Sequence, residues 1–106
     1  MKMFYRLYRN RWFPGKKFDD AKMKRVYEGF QEIYEKHGVK VIGAWENADD
    51  TDETYLITAY RDEAHYEEAV AKMREDPTYQ ELSKTFEGTR EMLAAATLKL
   101  IPGSPS

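Results

Sequence analysis

The stretch from Val39 to Arg61 constrains the fold more than any other part of the chain. VKVIGAWEN and TYLITAYR read as two strands joined by a short acidic connection. Side chains alternate along a strand, so Tyr55, Ile57 and Ala59 point to one side while Leu56, Thr58 and Tyr60 point to the other. Both sets are apolar or aromatic, so a sheet built around this hairpin needs cover on both faces. A chain of 106 residues supplies one core and one layer of helices at most.

The flanking segments complete the pattern. Met3 to Arg11 alternates Met3, Tyr5 and Leu7 against Phe4, Arg6 and Tyr8, as a strand does. Pro14-Gly15 marks a turn. Asp19 is placed to cap a helix, with Phe18 and Met23 at the spacing of a hydrophobic staple. Met23, Val26, Tyr27, Phe30, Ile33, Tyr34 and His37 recur at helical spacing, and Gly38 ends the helix. The connection between the hairpin strands, Ala48 to Glu53, carries four acids in six residues and reads as a solvated turn. It lacks the glycine and the glutamate spacing of a calcium loop. Asp62 caps a second helix with the inward stripe Tyr66, Ala69, Val70 and Met73. Asp76-Pro77 restarts the chain as a short helix through Tyr79, Leu82 and Phe86 to Gly88. Leu93 to Ile101 reads as the last strand.

The order βαββαβ predicts a ferredoxin-like α+β fold: a four-stranded antiparallel sheet with the helices on one face. Residues 1–101 form a single domain in this reading, and residues 102–106 are a C-terminal tail. The helices are expected to cover Met3, Tyr5, Leu7, Tyr55, Ile57 and Ala59. The opposite face then presents Phe4, Arg6, Tyr8, Asn10, Leu56, Thr58 and Tyr60, too apolar a patch to leave in water. Two such sheets packed about a twofold axis would bury it, which predicts a homodimer enclosing an aromatic cavity.

Charge and composition exclude other classes. Seventeen basic residues against 19 acidic ones give a net charge of −2, a poor match to a nucleic-acid backbone. Without cysteine there are no disulfides or thiolate sites. Met92 to Ile101 is too short to span a bilayer and contains Lys99. The basic residues scattered through the N-terminal segment do not resemble a secretory signal, and a cytoplasmic location without membrane partners is expected.

The runs EKHGVKVIGAWEN (Glu35 to Asn47) and YLITAYRDEAHYEEAVAKMREDPTYQEL (Tyr55 to Leu82) carry a resemblance to a known family. Pro14-Gly15-Lys16 and the Asp76-Pro77-x-Tyr79-Gln80 restart extend it. The chain resembles the NIPSNAP family within the dimeric α/β-barrel superfamily, which also contains antibiotic-biosynthesis-type and haem-degrading monooxygenases. The resemblance implies a dimeric α/β barrel and two classes of function. One is a cofactor-independent monooxygenase or isomerase acting on a phenolic or enolic substrate. The other is a non-catalytic ligand-binding or stress-related module. The positions that hold the Asn, Trp and His of haem-degrading relatives fall on Tyr8, Tyr60 and about Ser83, so haem chemistry is not implied and no cofactor is expected.

Cofactor-free oxygenation needs a base, donors to steady an anion and aromatic walls. Tyr8 and Tyr60 are candidate catalytic groups, and His37 or His65 is the candidate base because an unperturbed imidazole titrates near neutrality. His37 has a second reading as a helix-end residue, where an imidazolium meets the last carbonyls. His65, off the apolar stripe, reads as a surface residue. Phe4, Arg6, Asn10, Trp12, Leu56 and Thr58 are candidate ligand contacts. Arg6 is the most informative of these: it needs a carboxylate such as Glu46, and without one it favours an acidic or phenolate ligand. Two histidines without an acid pair at ligand spacing predict no metal site.

Overall fold

The computed structural model describes residues 3–105. Its elements follow in the order β1 (Phe4–Trp12), α1 (Asp20–Lys36), β2 (Lys40–Asn47), β3 (Asp50–Tyr60), α2 (Glu63–Glu75), α3 (Pro77–Lys84) and β4 (Arg90–Leu98). The four strands form one antiparallel sheet in the order β2-β3-β1-β4. This is the ferredoxin-like α+β arrangement, with the second helical segment divided at Pro77.

Local chemistry sets the helix boundaries. The Asp19 carboxylate accepts from the Lys22 N–H at 2.8 Å, and Phe18 packs in one cluster with Met23, as the staple requires. Gly38 adopts φ +70°, the left-handed turn that releases the chain from α1 into β2. Asp62 caps α2 by accepting from the His65 N–H at 2.7 Å. Asp76 caps α3 by accepting from Thr78 N–H at 2.9 Å, and Pro77 occupies the first turn where no N–H is needed.

Three expectations are corrected. The hairpin connection is shorter than the acidic run: β3 begins at Asp50, and only Ala48 and Asp49 make the turn. Two of the four acids are held by cations of the neighbouring strand: Asp50 pairs with Arg11 and Glu53 with Arg9. The last strand runs from Arg90 to Leu98 and leaves Leu100 and Ile101 exposed beyond it.

The largest correction concerns the faces. Tyr60 packs with Ile33 of α1, Val39, and Ala69 and Met73 of α2, with Phe4 against the same cluster. Trp12 packs with Phe18, Val26 of α1 and Phe86. The helices therefore cover the set Phe4, Arg6, Tyr8, Asn10, Trp12, Leu56, Thr58 and Tyr60. Tyr5, Leu7, Tyr55 and Ile57 lie on the other, uncovered face and are half-buried. Trp45 joins them from β2, opposite Tyr55 and 51% exposed, with its ring resting on Gly43 so closely that a Cβ there would fall 2.5 Å from ring carbons. Alternation divides the strands into two sets but carries no information on which set the helices take.

Candidate functional site

The site is built on the inner row of β1. Arg6, Tyr8 and Asn10 stand at alternate positions opposite Thr58, Leu56 and Thr54 of β3, so their side chains rise together toward the helices. Two aromatic clusters hold the ends of this row. At one end Phe4, Tyr60 and Tyr66 meet, with Phe4–Tyr66 centroids 5.0 Å apart and Tyr60–Tyr66 4.9 Å apart edge to face. At the other, Trp12, Phe18 and Phe86 pack with centroids 4.8–5.9 Å apart. Between the clusters the helices stand off the sheet and leave a cavity of about 710 Å³, within the range of small-molecule sites.

Each element contributes a wall. Tyr27, Phe30 and Tyr34 descend from α1 at spacings of three and four residues. Tyr66 and Met73 come from α2, while Tyr79 and Ser83, one turn apart, come from α3. After the break at Asp76-Pro77, α3 packs against both α1 and α2.

The charge of the lining is one-sided. It contains Arg6, Arg74 and Arg90 and no Asp, Glu, Lys or His, although the chain as a whole is acidic. Arg6 donates from Nη1 to Thr97 Oγ1 at 2.9 Å and lies 5.4 Å from the ring centroids of both Tyr8 and Tyr66. Among the described residues it meets no carboxylate, and its buried Nε has no hydrogen-bond partner. Glu46, the expected partner, pairs with Lys17 instead, at 3.0 Å. The Tyr8 hydroxyl holds the Arg6 guanidinium above its usual pKa, against an opposing effect of burial. Arg90 lies 3.7 Å over the Phe86 ring, and burial lowers its pKa.

The tyrosines are weak acids in this setting. Burial pushes Tyr60 up to about 12, against the hydrogen bond with Thr58, and raises Tyr34 further and Tyr66 as well. They remain neutral phenols at physiological pH, able to donate and accept hydrogen bonds but not to take a proton from a weak acid.

Of the candidate residues, Tyr8, Tyr60, Arg6, Asn10 and Leu56 meet in the cavity. Thr58 and Phe4 stand one layer behind: Thr58 Oγ1 donates to the Tyr60 hydroxyl at 3.2 Å, and Phe4 packs on Tyr60 and Tyr66. Trp12 is 3% exposed and is part of the core cluster instead of the lining. His37 lies outside the lining as the C-cap of α1, its Nε2 3.6 Å from Asp76 Oδ2. The helix-end reading of His37 is the one its position supports, because the helix terminates where the ring turns toward the α2–α3 junction.

His65 is buried, not on the surface. Its Nδ1 accepts from the Arg61 N–H at 3.0 Å, so the ring proton sits on Nε2, which donates to the His37 carbonyl at 3.0 Å. The ring thereby ties the end of α1 to the start of α2. Tyr27, Tyr34, Tyr79 and Arg90 are lining residues that sequence reasoning missed. Those tyrosines share the apolar stripes of their helices, where a cavity wall and a core position have the same periodicity. Among the described residues no cluster of three or more His, Asp or Glu could hold a metal, and no helix is long and apolar enough to cross a membrane.

A four-stranded antiparallel sheet with helices over one face and a cavity between the layers places the chain in the ferredoxin-like α+β class. The sequence model of the NIPSNAP family matches residues 6–105, and the chain belongs to that family. Among curated proteins none matches it. A NIPSNAP family protein of unknown function from Agrobacterium tumefaciens superposes with a TM-score of 0.77 at 23% identity, covering 97% of this chain and 92% of that one. A putative antibiotic biosynthesis monooxygenase from Chloroflexus aurantiacus gives 0.67 at 13% identity, covering 97% of each chain. SnoaB, a cofactor-independent oxygenase from Streptomyces nogalater, gives 0.71 at 9% identity over 100% of each. These structural likenesses establish the shared fold.

Proposed function

We propose that this protein holds a small aromatic anion, a carboxylate or phenolate, in the cavity between its sheet and helices. The observation that carries the reading is a lining with three arginines and no acid, in a chain of net charge −2. A guanidinium facing a cavity without a carboxylate leaves donors for a ligand to use, and aromatic walls accept a planar body. The lining also offers no histidine or carboxylate to remove a proton, so it suits a ligand that arrives ionised. The test is calorimetric titration with 2-naphthoate and its neutral counterpart 2-naphthylmethanol. Binding of the acid, loss of at least about tenfold in Arg6→Gln, and little binding of the alcohol are expected. Equal binding of acid and alcohol would refute the reading.

A second reading is cofactor-independent oxygenation, here of an easily ionised phenol or enol; the Streptomyces neighbour is a cofactor-independent oxygenase. Arg6 beside Tyr8 favours it, since together they would steady the substrate's oxyanion while the rings exclude water. Oxygen uptake with a panel of hydroquinones separates the two readings: uptake that falls in Arg6→Gln and Tyr60→Phe supports catalysis, and its absence across the panel leaves the binding role.

The uncovered sheet face, with Leu7, Ile57 and Trp45, is the surface on which we place a homodimer contact. An apolar sheet face of this kind is normally covered by a second layer. Sedimentation of a monomer at micromolar concentration would rule the dimer out.

A further inference from the structure

We propose that the cavity holds two separate anion subsites and that its ligand is an elongated aromatic compound with an acidic group at each end. This deepens the single-anion reading above and rests on it. The observation behind it is the spacing of the arginines. On β4, Thr97 lies opposite Arg6 and Arg90 lies opposite Trp12, so the two arginines are separated by the run of β1 from Arg6 to Trp12. That run advances about 20 Å along an extended strand.

Neither side chain closes the gap. Arg6 is held in its own row, bonded to Thr97 directly across the strand pair and packed over Tyr8 and Tyr66. Arg90 is likewise held at the far end, 3.7 Å over the Phe86 ring and 6.0 Å from the ring of Trp12. One carboxylate cannot reach both.

Each guanidinium also has its own ring neighbours: Tyr8 and Tyr66 for Arg6, Phe86 and Trp12 for Arg90. A guanidinium carries five N–H donors, and the faces of aromatic rings stabilise its charge without accepting conventional hydrogen bonds. No carboxylate of the described residues lies within ion-pair distance of either arginine, and Arg6 keeps a buried Nε without a partner. Phe30, Leu56 and Met73 add apolar groups to the same lining, suited to a flat body. Arg74, exposed on α2, adds a third cation to the lining but is not held in place as Arg6 and Arg90 are.

The experiment compares biphenyl-4,4′-dicarboxylate with biphenyl-4-carboxylate by calorimetric titration of the full chain. The dicarboxylate is expected to bind at least about tenfold more tightly, the gain of one additional charge-assisted contact. Arg6→Gln and Arg90→Gln should each erase that advantage, and Arg6→Lys and Arg90→Lys should each restore part of it. Because Arg90 is packed against the core, thermal unfolding of its variants is followed in parallel, and the lysine variant keeps the test open if the glutamine variant unfolds. Equal affinity for the two probes, or an advantage that survives either glutamine substitution in a folded protein, overturns the two-subsite proposal while leaving the single-anion reading standing. Failure of both probes to bind overturns the two together.

Discussion

The two faces of the sheet differ in a way that inverts simple expectation. The face beneath the helices carries Arg6, Asn10, Thr54 and Thr58 among its aromatics, while the face without cover carries Leu7, Ile57, Tyr5 and Trp45. A sheet covered by one layer of helices would normally put its greasier side inward. Here the inner side encloses a cavity, and Arg6, Asn10 and Thr54 line it. The outer side keeps its apolar residues beside the Arg9–Glu53 ion pair.

The sharpest way to break this comparison is to remove the inner anchor. Tyr60 is 2% exposed and touches Phe4, Tyr66 and His65 as well as the cavity. Tyr60→Ala should cost about 3–5 kcal/mol by chemical denaturation, the range for a buried large aromatic. Tyr60→Phe should cost about 1 kcal/mol, the hydroxyl's bond to Thr58 alone. A small effect of the alanine variant would mean that Tyr60 belongs to an exposed face.

The outer face should respond in the opposite manner. Ile57 is half-buried on the uncovered side, next to Thr58 in sequence but not in environment. Ile57→Arg should leave the protomer folded and weaken the proposed dimer by at least about 100-fold, because an unpaired charge would be desolvated at the contact. Sedimentation checks it: unchanged association would remove this face from the interface.

These two residues also show what the sequence could convey. The element order, the caps at Asp19, Asp62 and Asp76, and the grouping of Arg6, Tyr8, Asn10, Leu56 and Tyr60 follow from periodicity and turn chemistry, which act locally. The choice of face is not local. It depends on where the helices dock, and both sets of β-strand residues contain enough apolar surface to attract them. The mixed polar and aromatic row of Arg6, Tyr8 and Asn10 suits a sheet face awaiting a partner as well as it suits a cavity wall. His65 was missed for a related reason: a histidine in the first turn of a helix looks solvated until the end of another helix, at His37, is placed over it.

Alkaline titration sharpens the comparison further. Burial raises Tyr60 to about 12 and raises Tyr34 and Tyr66 above their ordinary value of 10. In the unfolded chain these phenols ionise near 10, whereas in the folded protein they stay neutral. Their contribution is therefore complete below pH ~10 and is lost progressively as pH rises through the folded values. Thermal unfolding should show a falling Tm above pH ~10, and the fall should be smaller in Tyr60→Phe, which has no phenol at that position to titrate. An identical pH profile in the variant would contradict the buried placement of this hydroxyl.

The smallest expected effect comes from Ile57's neighbour. Thr58 is fully buried, and its hydroxyl donates to Tyr60 at 3.2 Å. Thr58→Val keeps the branched shape and removes the donor, leaving the Tyr60 oxygen to find another partner in the cavity. The expected cost is about 1 kcal/mol in chemical denaturation, with no change in association. The loss should shrink in the Tyr60→Phe background, where there is no hydroxyl to satisfy, and a double-mutant cycle measures that coupling. A Thr58→Val variant that altered association while showing no coupling to Tyr60 would place Thr58 on the outer face and reverse the assignment of the whole inner row, since a one-residue shift in facing moves Arg6, Tyr8 and Asn10 with it.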